Sequence, residues 1–389
     1  MFTSSRSNRS SGVLIVSLAA LFASSLVTSQ ALAAPSDAAD LVLIDAGATQ
    51  IKLKSLIQTQ IALPLDPDDK DEHRLENGDP AEQTGMRLRR ARFGLSGWAY
   101  GVIDYAMTVE GTEDGAAELV DAWIGYRHFP LANLIFGVRK MPFSRYALLS
   151  SKRNSLAERP LAVTAMAPFR QVGLSLEGNI AGGLLHYSAG IYNGFERGVG
   201  FYEGYKQPKA FNGNRYEQLA YGGRASMQPF GSIGSDLADL NGGGLRLSLG
   251  TSTFLLDGST NTISAWGVDV AMKAHGFHLV AEYLADTAEP ANQPETDAGV
   301  PVELNRMCLV GEMGYMVVPE RVGVTVRGEW IDDNVEVDNA GDSLVIGGGL
   351  QYYWYRQHLK AQLDYTHRME LHGISLDNDT LLFQLQFSL

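Results

Sequence analysis

The sequence contains a single cysteine, Cys308, so no disulfide can form within the chain. An exported protein without disulfides needs another source of stability. Beyond residue 33 the sequence also lacks an uncharged apolar run of about eighteen residues, the length that a membrane-spanning helix requires. Helical spans are therefore excluded from this part of the chain. A membrane location would require a closed β-barrel, which leaves no main-chain polar group unpaired in lipid.

Positive charge is the other scarce property. The chain carries 31 Lys and Arg against 44 Asp and Glu, and its formal net charge is −13. A nucleic-acid partner would be attracted by a basic surface, so none is expected. The sequence also contains no phosphate-binding glycine loop between a strand and a helix, and no cofactor or metal is expected.

The N-terminus has the features of a secretory signal peptide. Arg6 and Arg9 precede an apolar stretch over 13–27, which leads to the small-x-small sequence at 31–33. We expect cleavage before Ala34. The alternative is an uncleaved membrane anchor, which fits less well because five serines and threonines lie between Ser17 and Ser29 and because of the cleavage motif itself. The predicted organisation is a signal peptide over 1–33, a short periplasmic segment over 34–48 and a barrel over 49–389.

Segments of about ten residues that alternate apolar and polar side chains recur along the rest of the chain, as in transmembrane strands. In the first, Ile51 and Leu53 fall on one face, and Lys52 and Lys54 fall on the other. The alternative is a pair of soluble β-sandwiches. These would share the alternation, but they would not need apolar outward faces over so many consecutive strands.

The connections between these segments alternate between short and long, which predicts an all-β transmembrane antiparallel barrel of about sixteen strands with both ends on the periplasmic side. One connection departs from this rule, because Phe230–Gly243 should be periplasmic yet is long. Strands are expected near 49–63, 86–99, 103–109, 120–126, 134–140 and 172–176, with further hairpins to the C-terminus; short turns near 100–101, 128–133, 181–183, 275–276, 318–321 and 355–357; and longer loops near 64–84, 113–117, 141–169, 194–214, 257–262, 287–302, 333–343 and 370–379.

Three segments resemble a known family, the phosphate-selective porin O and P family of outer-membrane channels. They are the arginine-rich 87–97 (RLRRARFGLSG), the strand and loop that begin FGVRKMPFS at 136–144 and continue to Glu158 and Arg159, and RQVGLSLEG at 170–178. The resemblance implies a sixteen-stranded homotrimeric channel in the outer membrane whose third long loop folds inward to narrow the pore. It does not by itself imply phosphate as the solute.

The distribution of charge favours anions as the permeating solutes. Strand alternation places more bases than acids on the inner face, while the acidic excess lies in loops such as 64–84. Basic side chains in a narrow, low-dielectric pore attract anions. The residues expected along the anion path are Arg90, Arg92, Arg139, Lys140, Arg145, Lys152, Arg153 and Arg159.

Several alternatives stay open at this point. The arginines could instead pair with acids of the inner face and leave little net selectivity, and phosphate specificity could not be placed on particular residues. The acidic 64–84 loop could bind divalent cations or meet lipopolysaccharide, or it could simply be solvated. The barrel could also be a structural or adhesive surface protein. A barrel hydrolase would rest on His186 and Ser188 alone, which lack an acid partner, so no catalytic residue is expected.

Overall fold

The computed structural model describes residues 41–65, 84–111, 116–129, 131–198, 201–205, 218–258, 261–290, 303–339, 341–373 and 378–389. The expected signal peptide and most of the acidic 64–84 loop lie outside these ranges. Among the described residues, no helix has the length and hydropathy needed to cross a bilayer.

The described chain is almost entirely antiparallel β-sheet, as predicted. Each strand from β2 to β17 pairs with the next one along the chain, and β17 pairs with β2, which closes a sixteen-stranded barrel. The strands are β1 Leu41–Asp45, β2 Gln50–Leu65, β3 Gly85–Ala99, β4 Ile103–Gly111, β5 Ala117–Phe129, β6 Ala132–Lys140, β7 Arg170–Ile180, β8 Leu185–Asn193, β9 Leu219–Met227, β10 Arg246–Asp257, β11 Asn261–Ala274, β12 Phe277–Pro290, β13 Leu304–Val318, β14 Val322–Asp332, β15 Ser343–Tyr355, β16 Leu359–Glu370 and β17 Asp379–Ser388.

Strand β1 was not predicted from the sequence. It lies within the 34–48 segment and pairs with the beginning of β2, from Leu41 opposite Leu53 to Asp45 opposite Gln50. All five of its residues are exposed. Because β17 pairs with β2 only beyond Ser55, β1 occupies the part of the β2 edge that β17 does not reach.

Turn chemistry explains why the connections at one end of the barrel are short. Two-residue hairpin turns of the type that matches strand twist need positive φ at both central residues. His275 and Gly276 have φ of 50° and 87°, and Tyr100 and Gly101 have φ of 54° and 74°. Short turns occur at the end where β2 begins and β17 ends, with one exception, the connection over 228–245. The sequence had singled out this region as unusually long.

Side chains alternate between the two faces along each strand. On β13, for example, Leu309 and Met313 are about half exposed, whereas Arg306 and Glu312 are buried. Polar and charged residues therefore lie on the inner, buried face and apolar residues on the outer face. An apolar outer face is what a barrel surrounded by lipid requires.

The hydrophobic core lies against the inner face of β10–β15 rather than between two layers of sheet. It is filled by the 141–169 segment, which connects β6 to β7 and contains two short helices, α1 Arg145–Leu148 and α2 Leu161–Met166. Phe143 packs edge-on against Phe254 of β10 with ring centroids 4.8 Å apart. Tyr146, Ala162 and Val163 are fully buried.

Candidate functional site

Acidic side chains of the inner face hold the 141–169 segment in place. Carboxylates from four different strands accept hydrogen bonds from its main chain and hydroxyl groups, and hydrogen bonds to charged groups contribute about 1.5–3 kcal/mol each. The bonds run from the Arg145 main-chain N–H to Glu282 (2.6 Å), from Ser144 Oγ to Glu282 (2.9 Å), from the Ala157 N–H to Asp364 (2.5 Å), from the Ala162 N–H to Glu329 (3.0 Å) and from Ser155 Oγ to Glu312.

Ser144 links this anchoring to the local structure of the segment. Its hydroxyl donates to Glu282 and also accepts from the Ala147 N–H at 3.1 Å, which caps the first turn of α1. A serine at this position is a favoured helix N-cap because it satisfies an otherwise unpaired N–H. The same side chain therefore begins the helix and fastens it to β12.

On the opposite side of the 141–169 segment lies a cavity of about 570 Å³ against the inner face of β2–β7. Its walls are strongly basic. Asp121 is the acidic side chain among its lining residues. The basic lining residues are Lys54, Arg92, Arg139, Lys140, Lys152, Arg153 and Arg170.

Four of these seven bases form ion pairs with carboxylates of the described residues. Each pair joins a lining base to a carboxylate in or beside the cavity wall, as the alternative based on pairing had expected. The pairs are Arg92–Glu110 (2.8 Å), Arg139–Glu177 (2.7 Å), Arg170–Asp121 (2.9 Å) and Arg153–Asp236 (3.6 Å). The lining residues themselves comprise seven bases and one acid, so the charge of the lining is predominantly positive.

Lys140 lines the cavity and Arg159 lies at the cavity edge, and both bind a neutral acceptor. Lys140 Nζ and Arg159 Nη2 donate to the same main-chain carbonyl oxygen, that of Leu149, at 2.5 Å in the case of Arg159. Within the described residues, neither has a carboxylate within ion-pair distance. Burial and the nearby charges of Arg90 and Arg92 lower the pKa of Arg159 to about 9, so it remains a cation at neutral pH.

A second basic cluster surrounds Glu158. Arg89 Nε lies 2.7 Å and Arg90 Nη2 lies 3.4 Å from its carboxylate. Burial favours the neutral acid, but Arg90 and Arg89 hold the pKa of Glu158 well below its usual range. Two consecutive residues of β3 reach the same group because the pairing register of β2 with β3 shifts between Gln58 and Thr59.

Five of the eight residues predicted for the anion path line the cavity, namely Arg92, Arg139, Lys140, Lys152 and Arg153. Arg159 binds the Leu149 carbonyl at its edge, and Arg90 lies beside Glu158. Arg145 lies on the far side of the 141–169 segment, 2.6 Å from Asp269 of β11.

Two basic lining residues were absent from that predicted set. Lys54 is one; alternation had placed it on the inner face. Arg170 is the other; it is directly opposite Lys140 in the β6–β7 pairing. The strand pairing, once drawn, would have indicated Arg170.

Basic walls of this kind act on dissolved ions through their electrostatic field. Fixed cations in a low-dielectric wall focus the field and raise the local anion concentration. The pair considered for hydrolysis offers little support, since the His186 ring nitrogen Nδ1 bonds to Asn179 at 2.9 Å.

A closed sixteen-stranded barrel with an apolar outer face and a charged interior defines an outer-membrane channel protein. Residues 65–388 match the model of the family described as phosphate-selective porin O and P, and the chain belongs to this family. No curated protein sequence matches the chain significantly.

Solved structures of outer-membrane proteins have a similar fold at low sequence identity. OmpT of Vibrio cholerae, in its trimer form, matches with a TM-score of 0.59 and 10% identity over 88% of this chain and 100% of that chain. The channel DcaP of Acinetobacter baumannii matches with a TM-score of 0.57 and 11% identity over 90% of this chain and 100% of that chain. The anion-selective porin from Comamonas acidovorans matches with a TM-score of 0.56 and 12% identity over 88% of this chain and 100% of that chain.

The protein is thus a porin that crosses the outer membrane repeatedly as a β-barrel, and its fold and family indicate a channel rather than an enzyme.

A barrel of this kind should tolerate charge on its outer face only near the membrane boundary. Substituting Met313→Arg, near the middle of β13, should reduce the free energy of unfolding by about 2–4 kcal/mol, and Val317→Arg, near the strand end, by about 0–1 kcal/mol. Denaturant titration in lipid vesicles, followed by tryptophan fluorescence, measures both. Equal losses would contradict the assignment of Met313 to mid-membrane depth.

Proposed function

We propose that the protein is a diffusion channel that prefers small anions. The observation that carries this proposal is the cavity beside β2–β7, whose lining comprises seven basic side chains and one acidic side chain. The whole chain is acidic, so this local balance reverses its net charge. The anion-selective porin from Comamonas acidovorans, which has a similar fold at 12% identity, also supports a preference for anions.

The 141–169 segment is proposed as the inward-folded third loop that narrows the pore. Its apolar side packs against β10–β15, and its hydrogen bonds to Glu282, Glu329 and Asp364 fasten it there. The permeation path would then run through the cavity on its other side. In this arrangement Glu282, Glu329 and Asp364 are occupied by hydrogen bonds to the loop, and the lining of the proposed path has more bases than acids.

Phosphate is the candidate solute within the anion class. The family description and the convergence of Lys140 and Arg159 on one carbonyl oxygen support it, because a tetrahedral oxyanion accepts hydrogen bonds from several cations at once. The same proposal includes export by the signal peptide at 1–33, contact with membrane lipid and lipopolysaccharide, and assembly as a homotrimer, as in the trimer form of OmpT.

The test is single-channel recording of the purified protein in a planar bilayer with a salt gradient. The reversal potential should show preference for chloride over potassium, and the conductance steps should group in threes. Millimolar phosphate should reduce the chloride current if phosphate binds in the cavity. A cation-selective reversal potential would refute anion preference, and a folded barrel without conductance would favour the structural or adhesive alternative.

A further inference from the structure

The long connection between β9 and β10, residues 228–245, is here called the inward turn. It lies at the end of the barrel that carries the short, periplasmic turns. Three apolar residues in its middle, Ile233, Leu237 and Leu240, are buried and each at most 5% exposed. Leu240 packs in a cluster with Met316 of β13 and Tyr353 of β15, both buried. The inward turn therefore folds against the inner face of the barrel.

Polar contacts fix the inward turn in this position. Lys273, a buried residue of β11, donates through Nζ to the carbonyl oxygens of Ile233 (3.1 Å) and Asp236. Asp239 is buried and accepts from Arg246 Nη2 at 2.6 Å and from the Gly276 N–H at 2.9 Å. An extended solvated loop would need none of these contacts.

The inward turn also meets the 141–169 segment. The Leu237 N–H donates to the Arg153 carbonyl oxygen at 3.3 Å, and Arg153 Nε lies 3.6 Å from Asp236 Oδ1. Ser235 lines the same cavity as Arg153 and Lys152. Two segments that enter the barrel from opposite ends therefore touch at the basic cavity.

We propose that the inward turn is the periplasmic floor of the permeation path and forms a second constriction below the 141–169 segment. Asp236 holds the Arg153 side chain at this floor, and solute leaves between Ser235 and the basic wall. This inference rests on the proposed channel function and adds the determinant of its periplasmic exit.

Two serines of the inward turn provide a matched test. Ser232 and Ser235 are both exposed, but only Ser235 is among the residues that line the cavity. The variants Ser232→Cys and Ser235→Cys are labelled with 2-sulfonatoethyl methanethiosulfonate during bilayer recording, with wild-type protein as the labelling control because Cys308 is buried.

Labelling at position 235 should reduce the conductance by at least about twofold and move the reversal potential towards cation selectivity, because it adds an anion to a narrow exit. Labelling at position 232 should leave both unchanged. The inference is overturned if mass spectrometry shows complete labelling at 235 without an effect, or if both positions respond equally.

The two proposals fail separately in this experiment. If the wild-type channel shows no anion preference but labelling of Ser235→Cys still reduces the current, the proposed selectivity is refuted and the proposed periplasmic constriction is supported. If the channel is anion-selective but labelling at 235 has no effect, the selectivity is supported and the periplasmic constriction is refuted. The variant Asp236→Asn gives an independent reading, because loss of this acid should shift the reversal potential further towards anions.

Discussion

Replacing Lys140 and Arg159 together by glutamine should lower the permeability ratio of chloride to potassium by about tenfold, because local fields of this kind concentrate counter-ions by one order of magnitude or more. These two cations bind a carbonyl oxygen, so no carboxylate partner cancels their charge. The reversal potential in a salt gradient measures the ratio. If phosphate binds in the cavity, its block of the chloride current should be lost in the same variant.

The matched control removes two charged side chains without changing the net charge. Arg92 and Glu110 form an ion pair across β3 and β4 in the same cavity wall. The variant Arg92→Gln, Glu110→Gln should therefore keep the permeability ratio within about twofold of wild type. The exchange Lys140→Arg, Arg159→Lys keeps both charges and should preserve anion preference. Equal losses in the glutamine variant and the ion-pair variant would show that the local balance does not set selectivity.

The strands could be predicted from sequence because lipid enforces a strict rule on one of their faces. The first strand was expected near 49–63, and β2 spans Gln50–Leu65; the second was expected near 86–99, and β3 spans Gly85–Ala99. What alternation does not encode is the pairing register. The shift opposite Gln58, which lets both Arg89 and Arg90 reach Glu158, could not be read from the sequence. Strand β1 was missed because five residues are too few to show a period.

The candidate site was predictable only where it is part of a strand. Arg92 and Arg139 follow from alternation, whereas Lys140 was expected as part of the basic loop that follows; the structure places all three at the cavity. The 141–169 segment has no period of its own, so the sequence treated its bases as one group. The structure divides them: Lys152 and Arg153 line the cavity, whereas Arg145 binds Asp269 on the opposite side. Contacts between residues more than one hundred positions apart decide this division.

Removing the Glu282 side chain should release the 141–169 segment and widen the pore. Glu282 accepts from the Ser144 hydroxyl and from the main-chain N–H groups of Arg145 and Tyr146. Each hydrogen bond to a charged acceptor contributes about 1.5–3 kcal/mol. Glu282→Ala removes three such bonds, so it should weaken the binding of the segment to the barrel wall, while the pairing of the barrel strands stays intact. We expect the conductance to rise by about twofold and anion preference to fall, because a wider path weakens the field at its centre.

Protease sensitivity offers a second measure of the same release. The segment contains Arg145, Lys152, Arg153 and Arg159, which trypsin would cleave once the segment leaves its site. Folded Glu282→Ala barrels should be cut there, whereas Glu320→Ala, in the exposed β13–β14 turn, should resist cleavage as wild type does. Glu282→Gln keeps one acceptor oxygen and should give an intermediate conductance. Wild-type conductance and full resistance in Glu282→Ala would mean that the apolar core against β10–β15 holds the segment without this carboxylate. Glu282 and the other inner-face acids would then be free to act on the permeating solute. In that case the positive charge of the cavity would not describe the whole permeation path.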